Sequence, residues 1–160
     1  MTEESQKAAA YQQLIRVVEA TLSGELDPLI WMAGLSCLIR DALGFFWVGF
    51  YRVQGNELLI GPYQGSFGCT RIPFGRGVCG TCAVHQKTII VPDVHQFPGH
   101  IACDTESKSE IVVPVFDETG QLRAVIDIDS VEYASFDRMD QDYLERIAKM
   151  MRGLEWSPIG

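Results

Sequence analysis

Four of the five cysteines in this sequence lie within residues 69–103, a region rich in glycine and proline. They are Cys69, Cys79, Cys82 and Cys103. A thiol that is ionised and accessible can attack an electrophile, and two loop thiols can approach one another to form a disulfide. Cysteine is also common in protein cores, but packing alone does not explain four thiols in loop-forming sequence. The pattern favours cysteine redox chemistry.

A zinc site is the first alternative for these cysteines. Cys79 and Cys82 have the spacing of half a zinc site, and His95, His100 and Cys103 are available to complete it. No second close pair follows, and Cys82 falls within a predicted helix, so we predict no metal. The two histidines have alternatives of their own. Loop histidines often hold backbone in place, whereas His100 is close enough in sequence to stabilise a Cys103 thiolate.

Three acidic residues form a second candidate cluster. Asp127 and Asp129 are two positions apart on a predicted strand and therefore share one face, and Glu110 begins the preceding strand. The simple alternative is that both aspartates face water, as in many antiparallel sheets. Aspartate is a poor strand former, however, which suggests a specific role. Three adjacent carboxyl groups raise one another's pKa, so one can act as an acid while the others bind a cation.

Aromatic residues mark another strand. Trp47, Gly49 and Tyr51 alternate on one face of the strand predicted at 46–53. They are either ordinary core residues or the wall of a small pocket. In a pocket, such rings would contact an apolar group and favour a nearby cation or sulfur atom. Both interpretations stay open at this point.

The elements that must position these side chains follow from apolar periodicity and turn residues. In chain order we predict a helix at 6–23, a helix from Asp27 to Gly44, strands at 46–53 and 58–60, an irregular stretch at 61–77, a helix at 78–86, a strand at 88–91, a loop at 92–109, strands at 110–116 and 122–129, and a helix after Asp137. This order predicts an α+β fold, with a mainly antiparallel central sheet and helices packed on it.

The length of 160 residues predicts a single domain. We divide it into N-terminal helices at 1–44, a sheet with catalytic loops at 45–130, and a C-terminal helix at 135–154. The fifth cysteine, Cys37, lies on the predicted apolar stripe of the second helix, with Leu29, Ile30, Ala33, Leu38 and Ala42. That position predicts a buried, inert thiol.

Charge and hydropathy exclude several classes of partner. The formal net charge is −8, and the 13 basic residues are scattered, which argues against binding to nucleic acid or an anionic membrane. No apolar run approaches the ~20 residues of a spanning helix. The first residues, MTEESQK, lack the apolar segment of a signal peptide. We therefore expect a cytoplasmic protein, in which thiols stay reduced and structural disulfides are rare.

The segments that carry these residues closely resemble the free methionine-(R)-sulfoxide reductases, a family of GAF-domain enzymes. The matching segments are Trp-Val-Gly-Phe-Tyr at 47–51, Cys-Thr-Arg-Ile-Pro-Phe-Gly-Arg-Gly-Val-Cys-Gly-Thr at 69–81, Val-Pro-Asp-Val-His at 91–95, Phe-Pro-Gly-His-Ile-Ala-Cys-Asp at 97–104, Ser-Glu-Ile-Val-Val-Pro at 109–114 and Asp-Ile-Asp-Ser at 127–130. The sequence departs from the family at Cys82, where a small residue is expected, and at Val131, where proline is usual.

The resemblance implies roles for the cysteines. Cys103 matches the catalytic cysteine, Cys69 matches the cysteine that resolves its oxidised form, and Cys79 matches an auxiliary thiol. It also implies that the substrate is free methionine (R)-sulfoxide, that thioredoxin is the reductant, that no cofactor is bound, and that the protein is a homodimer.

The resemblance also implies a substrate pocket. Glu110, Asp127 and Asp129 match its acidic residues, and Trp47 and Tyr51 match the aromatic residues around the substrate's methyl group and sulfur. The alternative from another class is a GAF module that binds a small molecule or senses redox state without turnover. Consumption of reductant in the presence of substrate distinguishes the two.

Overall fold

A computed structural model describes residues 1–101 and 103–157, and its centre is a six-stranded antiparallel sheet. The strands are β1 (Trp47–Gln54), β2 (Glu57–Gln64), β3 (Arg71–Pro73), β4 (Ile89–Val91), β5 (Ser109–Phe116) and β6 (Leu122–Ser130). Their order across the sheet is β3-β2-β1-β6-β5-β4. The predicted α+β class and the antiparallel sheet are confirmed.

Four helices accompany the sheet: α1 (Glu3–Leu22), α2 (Pro28–Leu43), α3 (Gly77–His85) and α4 (Arg138–Lys149). The predicted ends of α2 are confirmed, because Asp27 accepts a hydrogen bond from the Leu29 amide and Gly44 adopts a left-handed conformation. Asp137 and Asp140 form a capping box at the start of α4. None of the described helices is long and apolar enough to cross a bilayer.

The two faces of the sheet have different partners. Helices α1, α2 and α4 cover one face, where the side chains of Ala124, Ile126 and Ile128 join the main apolar core. Because side chains alternate along a strand, Asp127 and Asp129 lie on the opposite face. There α3 packs over a smaller apolar cluster that includes Tyr51. The fold thus separates a stabilising face from a face that carries reactive groups.

The stretch at 61–77 differs most from the sequence prediction. It is not irregular throughout, because β2 extends to Gln64 and is followed by the short strand β3. The pairing of Glu57 with Pro73 and of Leu59 with Arg71 anchors this stretch to the sheet edge. Glycine and proline masked the strand signal, since pairing with a neighbouring strand, rather than local preference, determines this element.

The prediction for Cys37 was wrong, because this thiol is exposed. The buried stripe of α2 is turned relative to the predicted one and consists of Trp31, Met32, Leu35, Ser36 and Ile39. Leu29 and Ile30, predicted to be buried, are 57% and 46% exposed. Helix α2 is apolar on nearly all sides, so periodicity alone did not identify the side that packs on the sheet.

Helix α3 is held against the turn that precedes it by the absence of a side chain at Gly80. A Cβ atom there would lie 2.6 Å from the Pro73 carbonyl oxygen and 3.1 Å from the Gly75 nitrogen, both backbone atoms. A Cβ at Gly34, in α2, would meet only the flexible Leu22 side chain at 3.3 Å. These two helical glycines therefore differ in what surrounds them.

We predict that Gly80→Ala lowers the free energy of unfolding by about 1 kcal/mol or more, because backbone must move to relieve the clash. The better helix propensity of alanine only partly offsets this cost. Gly34→Ala is the matched control and should be neutral or slightly stabilising. Urea unfolding under reducing conditions measures both, and equal effects of the two substitutions would contradict the packing argument.

Candidate active site

Strand register brings the three acidic residues together. Asp129 on β6 pairs with Glu110 on β5 on one side and with Trp47 on β1 on the other. Asp127 pairs with Gly49 of β1 in the next row of the same face. The three carboxyl side chains are only 6–9% exposed. The alternative in which the aspartates face water is therefore wrong.

Burial dominates the electrostatics of these carboxyl groups. It raises the pKa of Glu110 well above its ordinary value, and the charges of Asp127 and Asp129 raise it further. Burial also raises the pKa of both aspartates, although their hydrogen bonds with Glu110 lower it in part. Burial and the two acidic neighbours thus favour the protonated form of Glu110, in which its single O–H can donate to one aspartate.

A cavity of about 40 Å³ lies over the carboxyl groups. Its wall also includes the start of α3, the loop between β4 and β5, and one residue each from β1 and β3. Its lining residues are Tyr51, Ile72, Arg76, Gly77, Val78, Cys79, His100, Ile101, Cys103, Asp104, Ser107, Glu110, Asp127 and Asp129. A wider groove of about 520 Å³ lies between α2 and the β1–β2 hairpin. That groove has no cysteine, histidine or glutamate in its lining, so the smaller cavity is the better candidate.

The cysteines converge on this cavity from three segments. Cys69 and Cys103 are joined by a disulfide with their Cα atoms 5.1 Å apart. The Cys79 thiol is buried and donates to Glu110 Oε2 at 4.0 Å. Burial, together with the negative charges of Asp127 and Glu110, raises the pKa of this thiol.

Cys82 faces elsewhere. Its buried thiol donates to the Val112 carbonyl at 3.8 Å, one helical turn beyond Cys79. In the described part of the chain, the group of potential metal ligands is Cys79, Glu110 and Asp127, without Cys82 or a histidine. The zinc site considered from the Cys79–Cys82 spacing is therefore not assembled.

The two aromatic residues hold the loop that carries Cys69. The Trp47 indole donates to the Ser66 carbonyl at 2.8 Å, and the Tyr51 hydroxyl donates to the Cys69 carbonyl at 3.0 Å. Tyr51 lines the cavity, whereas Trp47 does not. The centroids of the Trp47 and Tyr51 rings are 6.1 Å apart. Trp47 also stacks on Tyr63 at 5.0 Å, a partner that the sequence did not indicate. Ser66 donates in turn to the Asp104 carboxylate, which links the loops of Cys69 and Cys103.

The two histidines separate in their roles. His95 contacts the Asp93 carboxylate at 3.1 Å and remains outside the cavity. His100 lines the cavity near Cys103. Burial and the neighbouring His95 lower the pKa of His100, so its imidazole is neutral at neutral pH. A neutral imidazole does not stabilise a thiolate as a positive charge, although it can accept a proton.

The cavity lining also contains residues that the sequence analysis did not single out, among them Ser107 and Arg76. Ser107 is buried, and its Oγ has no hydrogen-bond partner within the described chain. Arg76 lines the cavity at the start of α3 and is exposed. Serine and arginine are common loop residues, and only the closing of the loop over the sheet reveals their position. Arg76 lies in the segment 69–81 that resembles the reductase family, and this resemblance was the sequence signal that could have identified it.

The chain is similar to a known domain family and to enzymes from other organisms. A model of the GAF domain matches residues 35–151. Free methionine-R-sulfoxide reductase from Saccharomyces cerevisiae is 42% identical over 153 residues, covering 91% of this chain and 85% of the relative. The enzyme of the same name from Escherichia coli is 39% identical over 146 residues, covering 91% and 88%.

The fold is also similar to that of a solved enzyme structure. The X-ray structure of free methionine-R-sulfoxide reductase from Neisseria meningitidis, in complex with its substrate, matches with a TM-score of 0.88 at 43% identity. The match covers 91% of this chain and 88% of that one. The sheet and its cysteine-lined cavity define a GAF domain of the redox type. The chain belongs to the GAF-domain family and, within it, to the free methionine-R-sulfoxide reductases.

The raised pKa of Glu110 makes the free energy of unfolding depend on pH. The folded protein keeps a proton on Glu110 at pH values where the unfolded chain has released it, so the free energy of unfolding falls as the pH rises above the ordinary carboxyl value. One such proton contributes a slope of up to about 1.4 kcal/mol per pH unit. Glu110→Gln removes this proton, so we predict a shallower slope and a relative gain in stability between pH 5.5 and pH 8.

Denaturant unfolding at several pH values measures the slope. Glu106→Gln is the control, since Glu106 is exposed on the loop before β5 and should leave the slope unchanged. If Glu110→Gln and wild type lose stability in parallel, Glu110 does not hold the proton in the folded state.

Proposed function

We propose that this protein reduces free methionine (R)-sulfoxide to methionine. The observation that carries the proposal is the buried cluster of Glu110, Asp127 and Asp129 directly beside a disulfide-forming cysteine pair. A redox site that also provides three acids suits a substrate with both a reducible sulfoxide and an ammonium group. The relatives that share this fold bear the name of that activity.

The acidic residues explain a preference for the free amino acid. A free substrate has an ammonium group, which a methionine sulfoxide within a peptide lacks. The aspartates bind this ammonium group, and a peptide would leave the buried charges unpaired, which costs several kcal/mol.

The substrate carboxylate binds at the opposite wall. Gly77, Val78 and Cys79, the first turn of α3, line the cavity, and no side chain caps this helix end. Backbone N–H groups at a helix N-terminus favour an anion. Arg76 adds a positive charge at the same wall. Substrate charges of opposite sign are thereby fixed at opposite sides of the reacting sulfur, with Tyr51 and Trp47 beside the methyl group.

The first chemical step is attack by the Cys103 thiolate on the sulfoxide sulfur. The oxygen requires a proton to leave sulfur, and Glu110 is the proposed donor, because burial and the two neighbouring aspartates raise its pKa and so favour its protonated form. The protonated oxygen then moves to the Cys103 sulfur as the bond between the two sulfur atoms breaks, so methionine departs and Cys103 becomes a sulfenic acid. Sulfur in the substrate is reduced by two electrons, and the cysteine is oxidised by two.

The second step regenerates the nucleophile. Cys69 attacks the sulfenic acid, water leaves, and a disulfide forms between the two cysteines. The disulfide between Cys69 and Cys103 supports this pairing. Cys79, whose pKa is raised by burial, is a poor nucleophile at neutral pH and remains an auxiliary thiol.

Thioredoxin is the proposed reductant, and no bound cofactor is required. Both cysteines of the disulfide are partly exposed, so a dithiol partner can reach them. Phe67, two residues before Cys69, is 78% exposed and offers an apolar contact for such a protein. The cytoplasm, where thioredoxin keeps thiols reduced, is the proposed location.

Coupled NADPH consumption tests the activity. Reduced protein is supplied with thioredoxin, thioredoxin reductase and one of three substrates: free R-sulfoxide, free S-sulfoxide, or a peptide containing methionine sulfoxide. We expect turnover on the free R-epimer alone. Cys103→Ser should reduce the rate to background, because serine is not a nucleophile for sulfoxide sulfur under these conditions.

Cys37→Ser is the matched control, because Cys37 is exposed on α2, its thiol donates to Asp41, and it does not line the cavity. It should retain the wild-type rate. Binding of the free sulfoxide without consumption of NADPH, with all thiols confirmed to be reduced, would instead favour the redox-sensing or ligand-binding GAF module.

We further propose that the protein is a homodimer that associates through α2. This helix and the segment that leads into it expose an apolar side with Leu26, Leu29 and Ile30, which are 46%, 57% and 46% exposed. Ala33 and Cys37 continue the same side one and two turns later. Such a patch is buried most simply against its own copy across a two-fold axis.

Sedimentation equilibrium tests the dimer. Wild type should have twice the monomer mass, and Ile30→Lys should shift it to the monomer, because a charge at the centre of an apolar interface is costly to bury. Val84→Lys, at a residue of α3 that is 53% exposed, is the control and should remain a dimer. A monomeric wild type, or a dimer that survives Ile30→Lys, would reject this interface.

A further inference from the structure

The cavity holds the Cys79 thiol close to two carboxyl groups, and the proposed reduction does not require this closeness. One ligand atom each from Cys79, Glu110 and Asp127 lies within 4.8 Å of the other two, and all three residues are buried. In the mechanism, Cys103 and Cys69 do the sulfur chemistry, so the closeness of the Cys79 thiol to the carboxyl groups has no assigned role. Side chains of this mixed type are ligands of borderline-soft cations.

One oxygen of this group is conspicuously unsatisfied. Asp127 is 6% exposed, and its Oδ1 has no hydrogen-bond partner within the described residues. A buried carboxylate oxygen without a partner is costly, and it indicates a place for an ion or donor that the protein itself does not supply. Arg76, the arginine of the cavity lining, is exposed at its edge and makes no described ion pair with these carboxyl groups.

We propose that Cys79, Glu110 and Asp127 bind a single divalent ion of the zinc class in the reduced protein. The Cys79 sulfur and Glu110 Oε2 are 4.0 Å apart, which is within about half an ångström of the separation at a tetrahedral zinc. Three protein ligands leave a fourth position for water, and a cavity of about 40 Å³ has room for it.

This site is distinct from the cysteine pair considered from the sequence. Cys82 lies three residues after Cys79 but donates to the Val112 carbonyl and is outside the ligand group. The choice of a zinc-class ion follows from the thiolate, since Mg²⁺ and Ca²⁺ prefer oxygen ligands only. The ligand set therefore predicts discrimination against both of these ions.

The bound ion would inhibit sulfoxide reduction; this consequence rests on the proposed function. Glu110 and Asp127 cannot ligate a metal and also serve a substrate, one as acid and the other as partner of the ammonium group. Metal and substrate therefore exclude one another. Zinc should raise the apparent KM for the sulfoxide without changing the maximal rate, and a chelator should reverse the effect.

Cobalt binding tests the site without turnover. Fully reduced full-length protein carrying Cys37→Ser, Cys69→Ser and Cys103→Ser retains Cys79 and Cys82 as its cysteines. We expect one Co²⁺ per chain, with a thiolate-to-metal charge-transfer band in the near ultraviolet that Zn²⁺ removes by displacement. Mg²⁺ at the same concentration should leave the band unchanged.

Further substitutions in this background locate the ligands. Cys79→Ser should abolish the band, and Glu110→Gln, which preserves size, should weaken cobalt binding by at least about tenfold. Cys82→Ser is the matched control, being a buried thiol of the same helix outside the ligand group, and should retain the band. Circular dichroism confirms that each variant is folded.

Absence of the band in the Cys82-containing background, or its persistence after Cys79→Ser, would overturn the proposal. Unchanged affinity in folded Glu110→Gln would do so as well. These results are independent of sulfoxide reduction, because a protein without reductase activity can still bind cobalt, and an active enzyme can fail to bind it.

Discussion

The burial of three carboxyl groups on one face of the sheet is the constraint on which the site depends. Charges cannot remain unpaired in such a place, so the group must retain a proton or receive a cation. Burial and the charges of both aspartates raise the pKa of Glu110. In the proposed reaction, the same environment supplies a proton to the sulfoxide oxygen and binds the ammonium group.

The rest of the fold makes this unfavourable arrangement possible. Helices α1, α2 and α4 bury the large apolar core on the other face of the sheet and supply most of the stability. The reactive face has a smaller apolar cluster and is closed by two loops. Those loops meet through the Cys69–Cys103 disulfide and the hydrogen bond from Ser66 to Asp104. The free-energy cost of burying the carboxyl groups is thus offset by packing on the other face.

Aromatic residues connect the sheet to the loop that carries Cys69. Trp47 and Tyr51 lie on strand β1, and their polar atoms donate to the backbone carbonyls of Ser66 and Cys69. The position of this loop therefore depends on two hydrogen bonds from the strand. In the proposed reaction, the same two rings lie beside the substrate.

The sequence by itself determined the antiparallel α+β fold, the ends of α2, and the common face of Asp127 and Asp129, because caps and two-residue alternation are local properties. It also identified the cysteines and carboxylates that meet at the cavity. Only the tertiary structure decided the exposed side of α2 with Cys37, strand β3, and the unpartnered oxygen of Asp127. Each of these depends on which distant segment packs alongside, and local periodicity carries no information about that contact.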